Sequence, residues 1–145
     1  MEATATSIGA GAPSGRGRSD GPTYAALDLG TNNCRLLIAR PNRSGFRIID
    51  AFSRIVRLGE GLSQSGLLSK EAMDRAVEAL KVCAQKIRRR GVTHGRNVAT
   101  EACRRADNCD EFLARVRDET GLEIEIISTA EEADLAFRGC APLLS

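Results

Sequence analysis

The chain has 145 residues, a length that fits one domain, so a second full domain is not expected. Hydrophobic residues make up 42% and charged ones 28%, which excludes a wholly disordered chain. With no Trp, one Tyr and four Phe there is little aromatic surface on which to stack bases, and a net charge of +2 gives no general footprint for nucleic acid or membrane.

Residues 1–22 are rich in Gly, Ala, Ser, Thr, Pro and Arg with hardly a large apolar side chain, so a disordered tail is expected there, followed by one domain over 23–145. Tyr24-Ala-Ala-Leu27 then leads into Asp28-Leu-Gly-Thr-Asn-Asn33, and Cys34-Arg-Leu-Leu-Ile-Ala39 resumes an apolar run, which reads as strand, polar turn, strand. The third run, Phe46 to Leu58, is long enough for a bent or bulged strand, and the three make an antiparallel meander. Gly59 to Gly66 is a turn-rich link, and Ser69 is placed to cap a long helix. Met73, Ala76, Val77, Leu80, Cys83, Ala84 and Ile87 keep the spacing of one helical face, and Gly91 stops it. Arg88, Arg89 and Arg90 fall in its last turn, where cations complement the helix dipole.

Val98 and Ala99 end a short strand reaching Thr100; Asn108 caps a second helix that holds Phe112, Leu113 and Val116 and ends near Gly121. Glu123 to Ile127 alternates as a strand, and Ser128 and Thr129 open a last helix through Phe137, closed by Gly139 and Pro142. The order is that of an α/β unit with a mixed sheet and flanking helices. The five cysteines are odd in number with no C-x-x-C pair, which fits a reducing cytoplasm; four read as small buried hydrophobes, with Cys34 expected to be partly exposed in the loop. No run of about 18 apolar residues is present to span a membrane, and no signal-peptide core is seen.

Three stretches have side chains suited to chemistry. In Asp28 to Arg35, successive backbone N–H groups, the small Gly30, the Thr31 hydroxyl and the amides of Asn32 and Asn33 make a cradle for phosphate oxygens, and Asp28 suits either of two tasks, accepting a proton from water or holding a hydrated divalent cation. Judged by turn chemistry alone, a plain hairpin is the favoured alternative. In Thr100 to Arg105, Arg104 or Arg105 has the guanidinium geometry to meet an anion, against the alternative of a solvated helix start. Glu131 and Glu132 open the last helix; one of them facing a cleft would deprotonate a water, but Ser128-Thr-Ala-Glu131 and Thr129-Ala-Glu-Glu132 both match a capping box, the favoured local reading.

Taken in order, Ala25-Ala-Leu-Asp-Leu-Gly-Thr-Asn-Asn-Cys-Arg-Leu36, Arg57-Leu-Gly-Glu-Gly-Leu62, Ala99-Thr-Glu-Ala-Cys-Arg104, Glu125-Ile-Ile-Ser128 and Glu131-Glu-Ala133 resemble the N-terminal region of the exopolyphosphatase and guanosine pentaphosphate phosphatase family over about residues 24–141. The resemblance implies a ribonuclease-H-like half of an actin-like fold, of the actin, sugar kinase and Hsp70 superfamily. It implies water attack on a terminal phosphoanhydride of inorganic polyphosphate or guanosine pentaphosphate, assisted by Mg2+, with release of orthophosphate. It assigns the general base to Glu132, substrate contact to Arg104 and to the loop residues Gly30, Thr31, Asn32 and Asn33, and the metal, through water, to Asp28. This reverses the local preference for capping at Glu132.

Two departures stand out. Thr31-Asn32-Asn33 replaces the more frequent Ser-Asn-Ser, and Asp134 stands where arginine is common. Family members also continue into a second phosphate loop and a second half-domain, so a chain of 145 residues is expected to hydrolyse weakly or not at all alone. A homodimer, or a complementing C-terminal half, is the expected protein partner, and neither nucleic acid nor membrane is. The alternative to an enzyme fragment is a non-catalytic phosphate-binding or regulatory module of the same fold.

Overall fold

The computed structural model describes residues 21–135. Residues 1–20 of the tail expected over 1–22, the end of the last helix at Phe137 with its stop at Gly139 and Pro142, and Cys140 lie outside the described residues.

β1 (Tyr24–Leu29), β2 (Asn33–Asn42) and β3 (Gly45–Ile55) form the expected antiparallel meander, with Asp28 opposite Arg35 and Asn33 opposite Ile55. The register shifts between the pairs Ile38–Asp50 and Ala39–Ile48, so β3 has one extra residue, the bulge expected of so long a run. β3 ends at Ile55, earlier than the run to Leu58 suggested. Val56 and Leu58 are apolar because they dive into the core, and not because the strand continues.

The link after β3 contains a short helix, α1 (Leu62–Ser65), held between two left-handed glycines, Gly61 and Gly66; the glycine-rich composition had concealed it. Next comes α2 (Lys70–Arg89), capped by Ser69, whose hydroxyl accepts from the Ala72 N–H at 3.1 Å. Its buried face holds Ala76, Val77, Leu80, Cys83, Ala84 and Ile87 as the spacing predicts, together with Ala72 and Ala79.

β4 (His94–Ala99) pairs parallel with β1, and a two-residue β5 (Glu125–Ile126) pairs parallel with β4, giving the order β3-β2-β1-β4-β5. This is the mixed sheet with flanking helices that the sequence predicted. Between β4 and β5 lie α3 (Glu101–Arg105) and α4 (Cys109–Thr120), which ends at left-handed Gly121. Asn108 precedes α4 but its side chain does not cap it. Instead its amide accepts from Leu68 N–H at 2.8 Å and donates to Leu68 C=O at 3.0 Å, because a primary amide carries an acceptor and a donor side by side and so satisfies both backbone groups of one residue.

α2 and α4 cover one face of the sheet. Leu27, Leu29, Cys34, Leu36 and Ile38 pack there with Leu80, Cys83, Phe112 and Val116 in one hydrophobic core, and Cys34 is fully buried, contrary to its expected exposure. The other face of the meander is open, with Leu37, Ile48 and Ile55 at 49%, 61% and 70% exposure. Among the described residues no helix is long and apolar enough to cross a membrane.

Candidate active site

β1, β4 and β5 are parallel, so their C-terminal ends meet at one edge of the sheet. The segments leaving that edge are Gly30 onward, Thr100 onward and Ser128 onward, which are the three stretches singled out in the sequence. In open sheets this edge is where ligands bind.

The loop between β1 and β2 is tied down through its carbonyls. Gly30 N–H donates to Asn33 C=O at 2.9 Å; Asn32 C=O accepts from Val56 N–H at 2.7 Å and Arg57 N–H at 3.0 Å; and Thr31 C=O accepts from Gly59 N–H at 3.1 Å. With these carbonyls turned towards residues 56–59, the N–H groups of Thr31 and Asn32 have no acceptor among the described residues. Gly30 does not need a left-handed backbone; a Cβ there would lie 3.5 Å from Asn33 C=O and 3.8 Å from the Thr100 hydroxyl, inside the space the loop surrounds.

That space is an open cavity of about 240 Å³ lined by Asp28, Gly30, Thr31, Asn32, Asn33 and Glu132, all predicted, and also by Arg35, Thr100 and Glu101. Burial, and after it the negative charge of Glu132, raise the Asp28 pKa above the ordinary carboxylate range, while Arg35 acts in the opposite direction. The two carboxylates therefore feel one another across the cavity.

Glu131 and Glu132 point different ways. The Ser128 hydroxyl accepts from Glu131 N–H at 3.1 Å, so Ser128 is the cap of the helix over 129–135, but Glu131 sends its carboxylate to Arg96 at 2.6 Å. Glu132 turns to the cavity and accepts from Arg104 at 2.9 Å. Arg104 also donates to Ile127 C=O at 2.7 Å and is absent from the cavity lining, so both of its contacts hold protein groups. Arg105 is exposed and pairs within its helix with Glu101 at 3.6 Å.

Arg35 is the cation that the sequence reading left without a role. The signal was present: strand alternation puts positions 28 and 35 on opposite strands of one hairpin, and both face away from the core. Thr100 and Glu101 begin the stretch that also holds Arg104 and Arg105, and they, not the two arginines, reach the cavity.

No group of three or more His, Cys, Asp or Glu side chains is gathered to hold a metal ion among the described residues. Two carboxylates facing one polar cavity still fit a magnesium ion, which takes few carboxylates and keeps waters or phosphate oxygens as its other ligands.

The sequence profile of the Ppx/GppA phosphatase family matches residues 37–144. A guanosine-5'-triphosphate,3'-diphosphate pyrophosphatase from Vibrio vulnificus is 38% identical over 120 residues, which are 83% of this chain and 24% of that protein. Among solved structures, the Aquifex aeolicus Ppx/GppA family member superposes with a TM-score of 0.78 at 34% identity, over 83% of this chain and 39% of that one. An exopolyphosphatase from Cytophaga hutchinsonii gives 0.77 at 32%, over 81% and 38%. The chain thus spans about a quarter of the length of the curated relative it matches.

Proposed function

The chain belongs to the Ppx/GppA phosphatase family, and from that premise we propose that it is the N-terminal part of a phosphoanhydride hydrolase releasing terminal orthophosphate from inorganic polyphosphate or guanosine pentaphosphate. The observation that carries the reading is the meeting of the β1–β2 loop and Glu132 on one cavity from the ends of parallel strands.

In this reading the free N–H groups of Thr31 and Asn32, with the side chains of Thr31, Asn32 and Asn33, hold non-bridging phosphate oxygens, and Arg35 supplies the cation facing them. Arg104 fixes the Glu132 carboxylate through Oε2, which leaves Oε1 to take the proton of the attacking water. Arg104 is thereby a positioning residue first, with substrate contact as its second assignment. A magnesium ion held by Asp28 through water would neutralise charge on the phosphate chain. A second half is the partner that would close the cavity and exclude bulk water. The odd number of cysteines, with no C-x-x-C pair, supports a reducing, cytoplasmic setting.

The test is orthophosphate release from polyphosphate with magnesium, measured for this chain and for the chain extended to the length of its relatives. Release by the extended form that falls by about 10²–10⁴ in Glu132→Gln supports the assignment. An inert extended form that still binds polyphosphate would make this a binding module instead.

A further inference from the structure

We infer that Gly59 is a positioning residue for the phosphate loop: the space left by its missing side chain seats the Thr31 methyl group and so aims the Thr31 hydroxyl into the cavity. This deepens the phosphate-binding reading above and rests on it.

Gly59 is not glycine for the sake of its backbone, because its φ is not in the left-handed region that Gly61 and Gly66 occupy. Space is the reason. A Cβ built on Gly59 would stand 2.5 Å from the Thr31 Cγ2, whereas its other nearest atoms, the Thr31 Cβ and carbonyl oxygen, are at an ordinary 3.8 Å. The two backbones are held at this distance by the bond from Gly59 N–H to Thr31 C=O at 3.1 Å.

The methyl and the hydroxyl of threonine share one Cβ, so the rotamer that puts the methyl over Gly59 also decides where the hydroxyl points. Thr31 lines the cavity, and its hydroxyl has no hydrogen-bond partner among the described residues, which leaves it available to a ligand. β-Branched side chains have few χ1 wells. Relief of a clash at Cγ2 is cheapest by turning Thr31 to another well, and that turn swings the hydroxyl away from its present direction. The substitution Gly59→Ala is therefore expected to re-aim Thr31 while sparing the fold, and removing the Thr31 methyl is expected to make position 59 tolerant of alanine.

The experiment measures two quantities for this chain, for Gly59→Ala, for Thr31→Ser and for the double variant: the χ1 of residue 31 from NMR scalar couplings, and the affinity for inorganic tripolyphosphate with magnesium. In the Thr31 background, Gly59→Ala should change χ1 and weaken binding about tenfold, the cost of losing one hydrogen bond to a charged ligand. In the Thr31→Ser background the same change should alter affinity by less than about twofold, a few tenths of a kcal/mol. Equal losses in both backgrounds, or an unchanged χ1 in Gly59→Ala, would overturn the inference. If the parent chain does not bind tripolyphosphate, the phosphate-binding reading fails, while the χ1 comparison still decides the Gly59–Thr31 contact.

Discussion

One face of the sheet is sealed under α2 and α4, and the other is open with Asp28 and Arg35 on it. On the sealed face Leu27, Leu36, Leu80, Phe112 and Val116 are all within about one percent of full burial, with no charged group among them. On the open face large apolar side chains stand exposed beside ionisable ones, and the carboxylates at its edge have Arg35, Arg96 and Arg104 as neighbours. The core and the cavity therefore draw on different side chains of the same strands, because alternation along β1 and β2 sends neighbouring residues to opposite faces. Changes on one face should leave the other largely untouched.

The largest break in that comparison is on the sealed side. Phe112→Ala should cost about 3–5 kcal/mol in chemical denaturation, since it empties the largest fully buried side chain. Next is Asn108→Ala, which strips Leu68 N–H and C=O of their shared partner; about 1–3 kcal/mol is expected in the same measurement. A loss below the range of a single exposed contact would mean that water replaces the amide.

Asp28 and Asp50 offer a sharper contrast because their pKa values move in opposite directions. Hydrogen bonding from Lys86 holds Asp50 below the usual carboxylate range. Its stabilisation is present above that range and is lost as pH falls through its lowered pKa. Asp28 is raised by burial and by Glu132, so its contribution is full below the ordinary carboxylate range and is lost as pH rises through the raised value. Denaturation curves between acid and neutral pH should show Asp28→Asn gaining stability over the parent as pH rises, and Asp50→Asn losing it. Parallel pH slopes for the two variants would contradict the assignment of Asp28 to a crowded anionic site. Smallest of all should be Ile55→Ser on the open face, within about 0.5 kcal/mol, because that side chain is 70% exposed in the chain as it stands.

Much of this fold was legible in the residue pattern. The 3.6-residue spacing from Met73 to Ile87 announced α2, Ser69 announced its start, and the long third strand announced a bulge. The misses have local causes. Val56 and Leu58 look like strand residues because burial by a turn demands the same side chains as burial by a strand. Asn108 looks like a cap because an amide beside a helix start usually is one, and its true partner, Leu68, is 40 residues away.

The sequence by itself determined which residue types stand at the candidate site, since a Gly-Thr-Asn-Asn turn after Asp28 and a Glu132 after a capping serine are matters of residue type and spacing. Only the tertiary structure decided which of them meet. Parallel pairing of β4 with β1 and of β5 with β4 carries Glu132 to the loop, cross-strand register sets Arg35 opposite Asp28, and Arg104 is committed to Glu132. The meeting of Gly59 with the Thr31 methyl is likewise a contact between segments 28 residues apart in sequence. Local pattern specifies the chemistry of a side chain, whereas its neighbours depend on strand order and register, which no short window of residues encodes.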